Sequence, residues 1–132
     1  AQIPHPIKVV SNLPYHLTAP ILSLLVPRRD VFTTLTVMVQ EEVARRMVAQ
    51  PKTKEYGSFS VFLGFYTQAS YAFKVKRSCF YPSPKVDSAI VRLVLKEPPS
   101  VNAEAFFEFM HRAFQQRRKK VTSTLGAACA PI

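Results

Sequence analysis

Asn12-Leu13-Pro14-Tyr15 follows directly on a short β-branched run, Ile7-Lys8-Val9-Val10-Ser11. Pro14 fixes its own φ and pushes Leu13 toward extended backbone, so the peptide is stiff and the Leu13 carbonyl can be aimed outward. Asn12 adds a side-chain carbonyl beside it. Two rigid acceptors side by side suit an exocyclic amine with two N–H donors. Tyr15 offers a ring face on which a planar base could stack. The same spacing also describes an ordinary turn after a strand, and residue types alone leave both readings open. The second stretch with chemical content is Phe80-Tyr81-Pro82-Ser83-Pro84-Lys85-Val86-Asp87-Ser88. Its prolines rigidify a loop between two strands. Phe80, at its start, is either a second wall for a stacked base or an apolar pin for the loop.

Other chemistries find little support. His5, His16 and His111 have no metal-like spacing with each other or with Cys79 and Cys129, so no metal site is expected. No Ser/His/Asp or Cys/His set stands out. Cys79 is expected to pack. Only Gly57, Gly64 and Gly126 occur, too far apart for a GxGxxG or P-loop cradle. Basic residues do cluster. Arg117-Arg118-Lys119-Lys120 is a dense run, Lys74, Lys76 and Arg77 form a second group, and Arg28 and Arg29 a third. Each is either a phosphate contact or solvated charge; the first also reads as favourable charge at a helix C-terminus.

The elements that must position these residues alternate. Residues 7–11 read as a strand. Residues 18–26 read as a helix with Thr18 as N-cap, Pro20 in the first turn and Pro27 as its stop. Residues 31–39, apolar almost throughout, fit a strand buried on both faces. Residues 41–50 read as a helix led by Glu41 and Glu42 and followed by Arg45 and Arg46, with Val43, Met47 and Val48 as its apolar stripe. Residues 51–57 form a polar loop and 58–69 a buried helix. Residues 71–77 alternate as a half-exposed strand, with Lys74 and Lys76 opposite Phe73 and Val75. Residues 88–96 are a strong strand. Glu97-Pro98-Pro99-Ser100 is the best linker, and 103–118 an amphipathic helix with Phe106, Phe109, Met110, Ala113 and Phe114 on one face. This rhythm indicates an α/β layer fold.

With 132 residues the chain has room for one core, and 48% hydrophobic residues make it no disordered polycation. Its 18 Lys+Arg against 8 Asp+Glu give a net charge of +10, which points to a polyanion: nucleic acid or a membrane surface. No apolar run reaches the roughly 18 residues a membrane span needs, and none resembles a signal peptide. Two cysteines without CxxC spacing fit a reduced, cytoplasmic setting.

Four ordered motifs resemble one family. Ser11-Asn12-Leu13-Pro14-Tyr15 is similar to motif IV of amino-methyltransferases, which reads Asp/Asn-Leu/Ile-Pro-aromatic. The stretch from Phe80 to Ser88 resembles the F-x-P-x-P-x-V-x-S motif of rRNA adenine N6,N6-dimethyltransferases. Met38-Val39-Gln40-Glu41-Glu42-Val43-Ala44 and Tyr56-Gly57-Ser58-Phe59-Ser60-Val61 lie between them in family order, and the basic run resembles the family's C-terminal RRK-bearing helix. The M-V-Q-x-E-V run and Leu13 favour the bacterial small-subunit, KsgA-type branch over the Erm-type large-subunit enzymes. A non-catalytic rRNA-binding assembly factor of the same fold is the remaining alternative.

The resemblance implies methyl transfer from S-adenosylmethionine to the N6 amine of two adjacent adenines in small-subunit rRNA, within a pre-ribosomal particle. Asn12 and the Leu13 carbonyl are then the amine acceptors, Pro14 the stiffener, and Tyr15 and Phe80 the stacking walls. Asn12 is also the cofactor contact. Arg117, Arg118, Lys119, Lys120, Lys74, Lys76 and Arg77 become RNA contacts. The family's glycine-rich loop and acidic cofactor ligands have no counterpart here. The chain therefore resembles the C-terminal half of a Rossmann-like class I methyltransferase: about four strands with flanking helices in residues 1–97, then a linker and the start of a small helical domain in 98–132. The strand at 7–11 should lie at a sheet edge, and the chain alone should bind S-adenosylmethionine weakly or not at all.

Overall fold

The computed structural model describes residues 4–116 and 118–126, and Arg117 and Cys129 lie outside them. Two compact units meet at Pro98/Pro99. The first holds a four-stranded sheet in the order β1-β2-β4-β3, with β1 (Ile7–Asn12), β2 (Phe32–Gln40), β3 (Thr67–Val75) and β4 (Ser88–Leu95). β1 and β2 are parallel, while β4 runs antiparallel to both β2 and β3. β1 is an edge strand of this sheet. Helices α1 (Thr18–Leu25), α2 (Glu41–Met47) and α3 (Ser58–Tyr66) join the strands.

The period-2 rule sorts the strand residues into two faces. Leu35, Val37 and Val39 of β2 and Ala89, Val91, Leu93 and Leu95 of β4 form one core with Leu22 and Val26, Ala44 and Met47, and Leu63. All three helices thus serve the same face. Each fully buried Leu here contributes about 1.5–3 kcal/mol of apolar burial. The other face carries Val10, Thr36, Arg92 and Ser70 in one row and Asn12, Met38, Ile90 and Phe73 in the next. It is open: Val10 is 83% and Phe73 58% exposed. The expectation that β2 is buried on both faces holds in part: on the second face Thr34 is buried and Thr36 and Met38 are half-buried.

Other expectations change as well. The helix placed at 58–69 ends at Tyr66, where Thr67 turns to extended backbone and its hydroxyl donates to the Leu63 carbonyl (2.8 Å); β3 starts there, not at Tyr71. A bulge at Ala72 shifts the β3–β4 register, so Phe73 pairs with Ile90 on the open face and Lys74 pairs with Ala89. Simple alternation put them the other way round. Thr18 is not an N-cap: it is the first residue of α1, and its hydroxyl donates backward to the Pro14 and Tyr15 carbonyls.

α2 closes at Met47, with Ala44 and Met47 as its buried residues. Ser60 ties α3 to it, accepting from the Gly57 N–H and donating to the Arg46 carbonyl at 2.6 Å.

The second unit contains α4 (Ala103–Phe114) and α5 (Val121–Leu125). Asn102 caps α4 by accepting from the Ala105 N–H. α4 stops at Phe114, short of the expected Arg118, so Arg118, Lys119 and Lys120 lie in the connection to α5. Phe109 is 42% exposed; the half-buried ring between Phe106 and Met110 is Phe107, which spacings of three and four residues place on the same stripe.

Candidate active site

Residues 12–15 and 80–88 meet at one end of the sheet. They enclose an open cavity of about 330 Å3 lined by Asn12, Leu13, Pro14, Tyr15, Phe80, Pro82 and Pro84. It lies beyond the C-terminal end of β1 and beside the N-terminal end of antiparallel β4. Every residue expected to touch a base or its amine therefore lines one uncharged pocket, and Pro82 and Pro84 join them.

The first side is built locally. The Leu13 N–H donates to the Met38 carbonyl (3.2 Å), continuing the β1–β2 ladder by one residue. Leu13 itself is only 5% exposed, so its side chain is held in the core. Pro14 stands at φ −58°, ψ 131°, and a 3-10 turn follows over Tyr15–Leu17. The Pro14 carbonyl accepts from the Leu17 N–H (3.0 Å) and from the buried Thr18 hydroxyl (3.3 Å). Asn12 is exposed at the end of its strand. The Tyr15 hydroxyl lies 2.9 Å from the Ser88 hydroxyl.

The second side is a spanned loop. At one end the Phe80 N–H donates to the Arg77 carbonyl (3.2 Å), which also accepts from the Ser83 hydroxyl (2.9 Å). The Asp87 carboxylate accepts from the Arg77 N–H (2.8 Å), and the Arg77 guanidinium donates to the Lys85 carbonyl. At the other end the Asp87 carbonyl accepts from the Glu41 N–H, the first of α2. Glu41 accepts from the Tyr71 hydroxyl at 2.6 Å and pairs with Arg45, whose guanidinium also sits over the Tyr71 ring. Partial burial, then the bond to Glu41 and its charge, hold the Tyr71 hydroxyl above its ordinary pKa.

The basic residues are distributed over both units. Lys74 and Lys76 are exposed at the end of β3 and just past it. Arg77 and Lys85 line a second cavity of about 650 Å3, together with four carboxylates (Glu41, Glu42, Glu55 and Asp87) and Arg45. That surface is mixed in sign. Arg28 pairs with Asp30 at 3.0 Å. Arg118, Lys119 and Lys120 are exposed in the second unit. Cys79 is exposed rather than packed. Among the described residues no group of three His, Cys, Asp or Glu could hold a metal, and no helix is long and apolar enough to cross a membrane.

Sequence reasoning gave Thr18 and Tyr71 no part in the site, and named Ser88 only as the last residue of the 80–88 motif. Ser88 opens a strong strand run and carries no periodic mark. The Tyr71–Glu41 bond depends on tertiary placement that spacing does not encode.

The resemblance implies S-adenosylmethionine, and the pocket can be set against it. The lining has one amide and no carboxylate or cation to receive ribose hydroxyls or an amino-acid head group. These residues fit a planar base and do not, by themselves, fit the body of that cofactor.

An α/β sheet with an Asn-Leu-Pro-Tyr turn at a strand's C-terminal end defines the class of amino-methyltransferase folds. The family model for ribosomal RNA adenine dimethylase matches residues 1–130, and the chain belongs to that family. It is 57% identical over 125 residues to a ribosomal RNA small subunit methyltransferase A from Protochlamydia amoebophila, covering 94% of this chain and 44% of that protein. The namesake from Lactococcus lactis is 49% identical over 126 residues, with 93% and 43% covered. A dimethyladenosine transferase from Plasmodium falciparum superposes with a TM-score of 0.84 at 28% identity, over 95% of this chain and 46% of that one. The 23S rRNA methyltransferase ErmE gives 0.69 at 27%, over 95% and 52%. The chain thus spans less than half the length of the relatives named small subunit methyltransferase A.

Proposed function

We infer that this chain is the substrate-facing part of an rRNA adenine N6-dimethyltransferase acting on small-subunit rRNA, with S-adenosylmethionine as methyl donor. One observation supports the reading: in a member of the dimethylase family, Asn12, Leu13, Tyr15 and Phe80 line one uncharged pocket of about 330 Å3. The high identity to relatives named for the small subunit favours that substrate over large-subunit RNA.

An adenine amine is a poor nucleophile because its lone pair is conjugated into the ring. Asn12 Oδ1 and the Leu13 carbonyl, accepting its two hydrogens, favour a more tetrahedral nitrogen. This is catalysis by positioning and fixed dipoles, with no covalent intermediate on the protein. Tyr15 and Phe80 receive the base once it has left its stack. Arg117, Arg118, Lys119 and Lys120, with Lys74, Lys76 and Arg77, contact RNA phosphates. Among the described pocket residues, Asn12 is the one that would reach the cofactor, whose body the uncharged lining does not fit.

The test is transfer of labelled methyl groups to small-subunit particles and to naked large-subunit RNA. It is run with this chain alone and with this chain preceded by the glycine-rich half of a relative. Activity only in the joined form, and only on small-subunit particles, is expected. Transfer to neither substrate by the joined form would favour a binding role without catalysis. Calorimetry of the chain alone should show little S-adenosylmethionine binding; tight one-to-one binding would overturn the division of labour.

A further inference from the structure

We propose that Ser88 is a positioning residue for Tyr15: its buried hydroxyl fixes the tip of the ring so that one face is preset for the incoming base. This rests on the base-binding reading of the pocket. Ser88 has no solvent exposure and opens β4, an interior strand paired with Gln40 of β2 on one side and Val75 of β3 on the other. Its main chain cannot shift without disturbing two ladders. Its Oγ lies 2.9 Å from the Tyr15 hydroxyl, a contact between residues 73 apart in sequence.

The other end of the tyrosine is equally fixed. The carbonyl of Tyr15 accepts from the Thr18 hydroxyl (3.2 Å), and the Pro14 carbonyl before it accepts two bonds. A tyrosine side chain has two rotatable torsions, and a bond at its far end removes most of the swing they allow. The ring remains half-buried, so a face is left for stacking. Phe80, across the pocket, has no polar tip to hold. One wall is therefore fixed at both ends and the other at its main chain only. Ordering of the platform occurs on folding, and the base does not have to supply it on binding.

The experiment is a double-mutant cycle read with an RNA hairpin carrying 2-aminopurine at the target position, whose emission is quenched on stacking. The wild-type protein should quench it. Y15F and S88A should each weaken apparent affinity about three- to tenfold, the range for loss of one hydrogen bond. The double variant should be no weaker than either single one. S88T, which keeps the hydroxyl, should return to within about twofold of wild type. Circular-dichroism melting of every variant identifies any that has lost its fold; Y15F leaves β4 untouched and carries the test if S88A does not fold. Unchanged affinity in S88A and Y15F, or fully additive losses, would overturn the inference while quenching by wild type upholds the pocket's role. No quenching by wild type would overturn the base-binding reading, and the inference with it.

Discussion

The two sides of the pocket reach rigidity by different routes. The 12–15 turn is held by local bonds between Pro14 and Thr18, by the Tyr15–Ser88 contact, and by the strand pairing it extends. The 80–88 loop is held at its two ends, by Arg77 and by Glu41, and its middle relies on prolines and Ser83. A turn built from part-buried local bonds on the buried Thr18 cannot yield without loss of stability. A loop whose Arg77 end is tied by exposed bonds can lose order there at small energetic cost. The first suits atoms that must stay aligned with a reacting amine; the second suits a wall that admits and releases a base.

Substitutions can break or sharpen that contrast. The largest effect should come from Asn12→Ala. Methyl transfer by the joined enzyme should fall about 10²–10³-fold, as when one preorganised polar group is removed, with RNA affinity nearly unchanged. Retained turnover would remove Asn12 from the chemistry. Thr18→Val keeps the shape and deletes the donor to the Pro14 and Tyr15 carbonyls; it should cost about 1–2 kcal/mol in denaturant titration because Thr18 is buried. Asp87→Ala should cost less, under about 1 kcal/mol, since the Arg77 N–H it releases can meet water. It should instead speed hydrogen exchange at the Arg77 and Phe80 amides. Equal stability losses at Thr18 and Asp87 would erase the contrast.

The smallest effect concerns pH. Tyr71 is held above its ordinary pKa by partial burial and then by Glu41, so the fold favours the neutral hydroxyl. Its contribution is complete below the unfolded value near about 10 and is lost as pH rises through the higher folded value. Melting temperature should therefore drop in the alkaline range less steeply for Y71F than for wild type. Identical alkaline limbs would show that the Tyr71–Glu41 bond does not support the second loop.

Much of this was legible in the residues. Pro14 and the paired prolines of 80–88 announce stiff loops, and β1, β2 and β4 stand out as β-branched runs. The end of α3 was not legible, because no glycine or proline falls at residues 66–69 and only Thr67's turn to extended backbone marks the stop. The bulge at Ala72 was invisible for a similar reason: it depends on register against β4 and puts Phe73 on the open face, paired with Ile90. The bond from Tyr15 to Ser88 requires knowing that β2 lies between their two strands, which no local pattern records.

That last contact has a bearing on how the chain folds. Its partners are 73 residues apart, and they meet only after β2 has paired with β1 on one side and β4 on the other. Contacts of such high sequence separation are closed late, because the intervening chain must be ordered before they repay its entropy. The complete pocket therefore requires both pairings of β2, whereas the 12–15 turn alone requires only local bonds and the β1–β2 ladder.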